Sequence, residues 1–116
     1  MHATIEHALR QLSIGAHYKG FRFATLAVVI ILNDETCLTK VNRAIYKDIA
    51  ALTGFSPTAI ERDLRTVIAR AWNCCPKKLT QMAGYALSAA PTVSEFLDIV
   101  SNYVRRQLRG DDIRPR

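Results

Sequence analysis

The sequence predicts an all-α domain of about six helices built around a central helix-turn-helix, of winged-helix size but with no wing strands expected. Three observations predict it. Apolar residues recur at helical spacing in one segment after another. Gly and Pro fall at the ends of those segments, where helices stop or start. The stretch from Ile45 to Trp72, IYKDIAALTGFSPTAIERDLRTVIARAW, reads as a short helix, a tight turn and a longer helix.

The elements follow in order. Ile5, Ala8, Leu9 and Leu12 share a face, so the first helix is expected over about Thr4 to Ser13, with Gly15 as its stop. His17 to Gly20 form a connector. Phe21 to Asn33 is almost continuously apolar. Its run Val28-Val29-Ile30-Ile31 suits a strand by propensity. Its length, and the lack of any partner strand pattern, predict a buried central helix instead. Asp34 to Thr39 is a polar connector. Lys40 to Thr53 presents Val41, Ile45, Ile49 and Leu52 as an inner face, and Gly54 stands where a helix leaves through a left-handed residue.

Ser56 is a good N-cap for the next helix, with Pro57 at its first position and Phe55 and Ile60 placed for a hydrophobic staple. Thr58 with Glu61 is an alternative capping box. Ile60, Leu64, Val67, Ile68, Ala71 and Trp72 form the inner face of this helix, which runs over about 56–73. Pro76 breaks the pattern. Leu79, Met82 and Ala83 predict a short helix ending at Gly84. After the loop at Pro91, Thr92 or Ser94 caps a last helix with Val93, Phe96, Leu97, Val100, Val104 and Leu108 inward. Residues 110–116 read as a frayed tail.

Composition narrows the function. The 116 residues suffice for one domain with its own core, here taken as 1–116, and 49% hydrophobic content marks a globular chain. Sixteen Lys and Arg against ten Asp and Glu give a formal charge of +6, which favours an anionic partner, nucleic acid first. Residues 59–116 hold ten of those cations. A solvated helix end accounts for Arg105, Arg106, Arg109, Arg114 and Arg116. Three cysteines, Cys37, Cys74 and Cys75, fit a reducing cytoplasm better than a secreted disulfide framework. The longest apolar run, Ala24 to Leu32, is too short for a bilayer, and no signal peptide is apparent.

The central pair has the chemistry of a DNA reader. Ala50 is small where two helices must cross, Gly54 permits a sharp turn, and the connection from Gly54 to Pro57 is short. Thr58, Glu61, Arg62, Arg65 and Ala69 share the face opposite the apolar stripe. Arg donates two parallel hydrogen bonds to guanine in the major groove, Glu accepts from the amino group of cytosine, and each good bidentate contact contributes roughly 1–3 kcal/mol of discrimination. The bland alternative is a solvated face with Glu61–Arg65 as an ion pair worth about 0.3–0.5 kcal/mol. The turn ahead of the helix favours base contact.

The order of residues also resembles a known family. Gly15-Ala16-His17, Lys19-Gly20, Thr39-Lys40-Val41, Tyr46 with Asp48-Ile49-Ala50, Ile60-Glu61-Arg62 with Arg65, Ala71-Trp72, Gly84-Tyr85, Pro91-Thr92 and Ser94-Glu95-Phe96 resemble the C-terminal effector domain of the stage zero sporulation protein A family. The resemblance runs from about Ile14 to Leu108. It implies a six-helix domain that activates or represses transcription by binding a short promoter box on double-stranded DNA, often as tandem copies. It implies that Glu61, Arg62 and Arg65 read bases. It also implies a surface for the housekeeping sigma factor of RNA polymerase within Cys74 to Leu87, where Lys78, Gln81 and Tyr85 are the candidates. The chain departs from the family pattern at Ala59, where a basic residue is common, at Asp63, where a small one is usual, and at Arg70, where an acid is usual. These departures bear on backbone contacts and box preference. Family regulators carry a phosphorylated receiver domain; the first 13 residues are too few to supply one, so an excised or stand-alone effector is expected.

Other chemistries find no support. His2, His7 and His17 are far in sequence from Cys74 and Cys75, and no metal-ligand spacing occurs, so neither a metal nor a cofactor is expected. No phosphate loop or nucleophile motif suggests an enzyme. Trp72 and Phe96 read as core, and His17 as a connector residue. Lys19, Lys40, Arg43, Lys47, Lys77 and Lys78 are candidate phosphate contacts, with Thr58 and Thr66 as hydroxyl candidates on the recognition helix. The competing function is a protein-interaction module that kept the fold and dimerises with, or antagonises, a full-length regulator. The intact Glu61, Arg62 and Arg65 row argues against it.

Overall fold

A computed structural model describes residues 2–33 and 44–109 of the chain. Six helices are found among the described residues: α1 (His2–Gln11), α2 (Lys19–Asn33), α3 (Tyr46–Thr53), α4 (Pro57–Cys74), α5 (Pro76–Ala83) and α6 (Val93–Arg109). The all-α class is as the sequence predicts, and no strand occurs among the described residues.

Helix α2 is the central post. Phe21, Phe23, Ala24, Thr25, Ala27, Val28 and Ile31 are buried, and Leu26, Val29, Ile30 and Leu32 pack partly buried against the same core. A helix apolar on nearly every side must be surrounded, and α2 touches α1, α3, α4 and α6. Burial on that scale overrides the strand propensity of Val28 to Ile31, because each fully buried aliphatic or aromatic side chain contributes about 1.5–3 kcal/mol whichever backbone carries it.

The most extensive helix contact is between α2 and α4. Gly20 sits against the backbone carbonyl of Asp63, and a Cβ there would come within 2.7 Å of Val67 Cγ1. The missing side chain lets α4 lie directly on the start of α2. That start is Lys19, two residues ahead of the predicted Phe21. Helix α1 begins and ends two residues earlier than predicted, because Ser13 takes a left-handed φ of 65° and turns the chain so that Ile14 is buried.

Helix ends follow the predicted chemistry in most places. Gly54 (φ 82°) closes α3 and Gly84 (φ 82°) closes α5. Ser56 Oγ accepts from Ala59 N at 3.2 Å, so Ser56 is the N-cap of α4 and the Thr58–Glu61 box does not form. Pro76 is the first residue of α5. Thr92, rather than Ser94, caps α6 in a reciprocal box: Glu95 N donates to Thr92 Oγ1 at 3.1 Å and Thr92 N donates to Glu95 Oε1 at 3.1 Å.

Two inward assignments are corrected. Leu52 is 63% exposed and Leu108 is 49% exposed. Each lies in the last turn of its helix. The Phe55 ring meets Phe23 edge-on at 5.5 Å between centroids, tying the turn to α2. Val41, Lys40 and Arg43, Cys37, and the predicted tail at 110–116 lie outside the described residues.

Candidate nucleic-acid interface

Helix α4 has two unlike faces. Ile60, Leu64, Val67, Ile68 and Ala71 are buried, with Trp72 half-buried against the same core. Their spacing by three and four residues makes one stripe, so Glu61, Arg62 and Arg65 must face outward. The Arg62 and Arg65 side chains are 69% and 70% exposed. Helix α3 packs on α4 ahead of a three-residue turn, Gly54 to Ser56, that completes the helix-turn-helix.

The outward row is paired within its own helix. Arg65 Nη2 and Nε donate to the same Glu61 oxygen, Oε2, at 2.9 and 3.3 Å. Arg62 Nε lies 3.7 Å from Asp63 Oδ1. Exposed pairs of this kind contribute little, about 0.3–0.5 kcal/mol for an i, i+4 pair. A bidentate base contact contributes several times that. Both arginines can therefore leave their carboxylates for a better acceptor at small cost.

A groove runs along this face. One wall is α4, with Pro57, Thr58, Glu61, Arg65, Ile68 and Ala69. The other is the approach to α6, residues 90–94, with Tyr46 of α3 also lining the groove. The Tyr46 hydroxyl is buried without a hydrogen-bond partner. Burial raises the pKa of its phenol, the Glu61 carboxylate raises it further, and the Arg65 guanidinium opposes both. Tyr46 and the 90–94 wall are the parts of this face that periodicity did not bring forward. Tyr46 stood out only within the resemblance.

The remaining candidates divide by position. Lys19 is exposed at the start of α2, and its ammonium lies 5.0 Å from the centre of the Phe55 ring, beside the turn. Lys47 is exposed in the first turn of α3, and Thr58 in the first turn of α4. Thr66 is exposed, and its hydroxyl donates to the Arg62 carbonyl at 3.0 Å. Lys77, Lys78, Gln81 and Tyr85 belong to α5 and the residue after its cap, at the far end of α4. An 18-residue helix is about 27 Å long, so those four are separated from Thr58 and Lys19. Tyr85 is 50% exposed, Lys77 and Gln81 are exposed, and Lys78 is half-buried.

Two departures from the family pattern now have structural positions. Arg70 Nε donates to the Ser13 carbonyl at 3.1 Å, and its guanidinium lies 6.0 Å from the Tyr18 ring centre. It ties α4 to the α1–α2 connector. Asp63 holds one buried, unpartnered carboxylate oxygen beside the crossing with Gly20.

A short helix, a glycine turn and a capped second helix with an outward Glu-Arg-Arg row define a helix-turn-helix domain of the DNA-binding class. Residues 5–104 match the family described as sporulation initiation factor Spo0A C terminal. The chain belongs to that family, whose members are DNA-binding effector domains of a sporulation regulator. No helix among the described residues is long and apolar enough to cross a membrane.

Proposed function

We propose that the chain is a sequence-specific transcription regulator that inserts α4 into the major groove of double-stranded DNA. Arg62 and Arg65 read guanines and Glu61 reads a cytosine. The observation that carries this reading is the pair of faces on α4. One face is locked into the core, so the helix is rigid, while the other carries two mostly exposed arginines held only by weak pairs on the same helix. Lys19 and Lys47 are placed to meet phosphates beside the turn; Lys40 and Arg43 belong to the same proposed set, and Lys77 and Lys78 would meet phosphates at the other end of α4. The protein works in the bacterial cytoplasm, on tandem boxes as a dimer. Lys78, Gln81 and Tyr85 are proposed to meet the sigma factor.

The test is salt-dependent binding to a duplex bearing the sporulation-regulator box and to a scrambled duplex. Six neutralised phosphates give a slope of log K against log salt near about −5. Arg62→Ala and Arg65→Ala each lose preference for the box. A slope near zero, or box preference untouched by both substitutions, would contradict the reading. Substituting Gln81 and Tyr85 together is expected to impair transcription while leaving DNA binding intact; joint loss of both would refute the sigma-factor surface.

A further inference from the structure

Among the described residues, three buried side-chain polar atoms have no partner: the Tyr46 hydroxyl, Asp63 Oδ2 and Ser101 Oγ. Tyr46 differs from the others because it lines the open groove together with Glu61 and Arg65. A buried donor left unmatched within the protein is costly, so one kept at the wall of an open groove calls for an acceptor. The groups at hand are unequal. Arg65 offers only donors, whereas the Glu61 carboxylate is an acceptor with two oxygens.

In the free protein both Arg65 donors occupy Glu61 Oε2. If Arg65 extends to a guanine, Glu61 loses both bonds and faces a polyanion as a lone carboxylate. It then needs a donor besides the cytosine amino group it is proposed to read. We infer that Tyr46 is a positioning residue of the recognition helix, whose hydroxyl donates to the Glu61 carboxylate once Arg65 has left it for DNA. The inference rests on the reading of α4 proposed above. The phenol is protonated at neutral pH, since burial and Glu61 both hold the proton on. One carboxylate has room for both donors, the phenol beside it and the base in front. The exchange keeps Glu61 aimed at its base instead of swinging away from the phosphates.

Two measurements decide the matter. The first needs no DNA. Melting temperatures are compared for wild type, Tyr46→Phe, Arg65→Ala and the double variant. In wild type the hydroxyl has no partner within the protein, so Tyr46→Phe leaves Tm unchanged or raises it. In the Arg65→Ala background the hydroxyl has taken Glu61, so the same change lowers Tm by roughly 4–8 °C, the shift expected from one hydrogen bond in a domain of this size. An equal shift in both backgrounds would overturn the proposal.

The second measurement is discrimination between the box and a duplex altered at the cytosine assigned to Glu61. Tyr46→Phe loses roughly ten-fold of it, the worth of one hydrogen bond to a charged group, with the salt slope unchanged. In a Glu61→Ala background it loses nothing further. Wild-type discrimination that survives Tyr46→Phe would refute the positioning role alone. Absence of wild-type discrimination would instead refute the DNA reading, and the melting series would still decide whether the hydroxyl exchanges partners with Arg65.

Discussion

Two sets of arginines stand on this fold in opposite ways. Arg62 and Arg65 extend from α4 into solvent and pair only with carboxylates one and four residues away. Arg70, on the same helix, donates across 57 residues of sequence to the Ser13 carbonyl, and Arg106 of α6 donates to the Met82 carbonyl at 3.0 Å. Both kinds are cationic and partly exposed, and composition counts them alike. The difference lies in what each would give up by moving. Releasing Arg65 breaks a weak pair within one helix. Releasing Arg70 or Arg106 strips a hydrogen bond that joins two elements. Position relative to the buried stripe, not charge, separates a proposed reader from a tie.

That contrast can be broken or sharpened by substitution. The largest effect is expected at the shared support. Leu64→Ala empties the centre of the α4 stripe and should cost about 2–5 kcal/mol of stability by thermal or urea unfolding, lowering box and scrambled-DNA binding together as the folded fraction falls. Next comes the reader set. Arg65→Ala and Arg62→Ala should each lose about 1–3 kcal/mol of box-over-scrambled preference, with Tm nearly unchanged. A Tm drop of the Leu64 kind would place these arginines among the ties.

Ser56→Ala should cost about 1 kcal/mol of stability through the lost cap at Ala59 N. It should weaken all duplexes alike, because the cap sets where the helix begins rather than which base it meets. The smallest effect is expected at Arg70→Ala. It should lower stability by under about 1 kcal/mol, as for one exposed hydrogen bond, and leave the ratio of box to scrambled binding unchanged. A change in that ratio would move Arg70 to the reading face and erase the contrast.

Much of this was legible in the sequence because it is local. The α4 stripe follows from spacing by three and four. Gly54, Ser56, Gly84 and a cap at Thr92 or Ser94 follow from what helix ends require. The outward position of Glu61, Arg62 and Arg65 follows from the inward position of Ile60, Leu64 and Ile68. What stayed hidden depends on distant partners. No local pattern assigns Gly20 to a crossing with Asp63, Arg70 to Ser13, or Phe55 to Phe23. Leu52 and Leu108 continued an apolar period correctly, yet the period says nothing of where the neighbouring helix ends. The groove beside α4 needs residues 90–94, more than twenty positions from Ala69 in sequence, and Tyr46 becomes informative only when its buried hydroxyl is found in the groove that Glu61 and Arg65 also line.

The central claim is that the outward row of α4 chooses bases. Selection from a pool of random duplexes tests it most directly, run in parallel with wild type, Arg65→Ala and Arg70→Ala. Wild type and Arg70→Ala should return the same short consensus, and Arg65→Ala should return it with one guanine position relaxed. If Arg65→Ala returned the wild-type consensus unchanged, or wild type returned none, α4 would not be the reading helix.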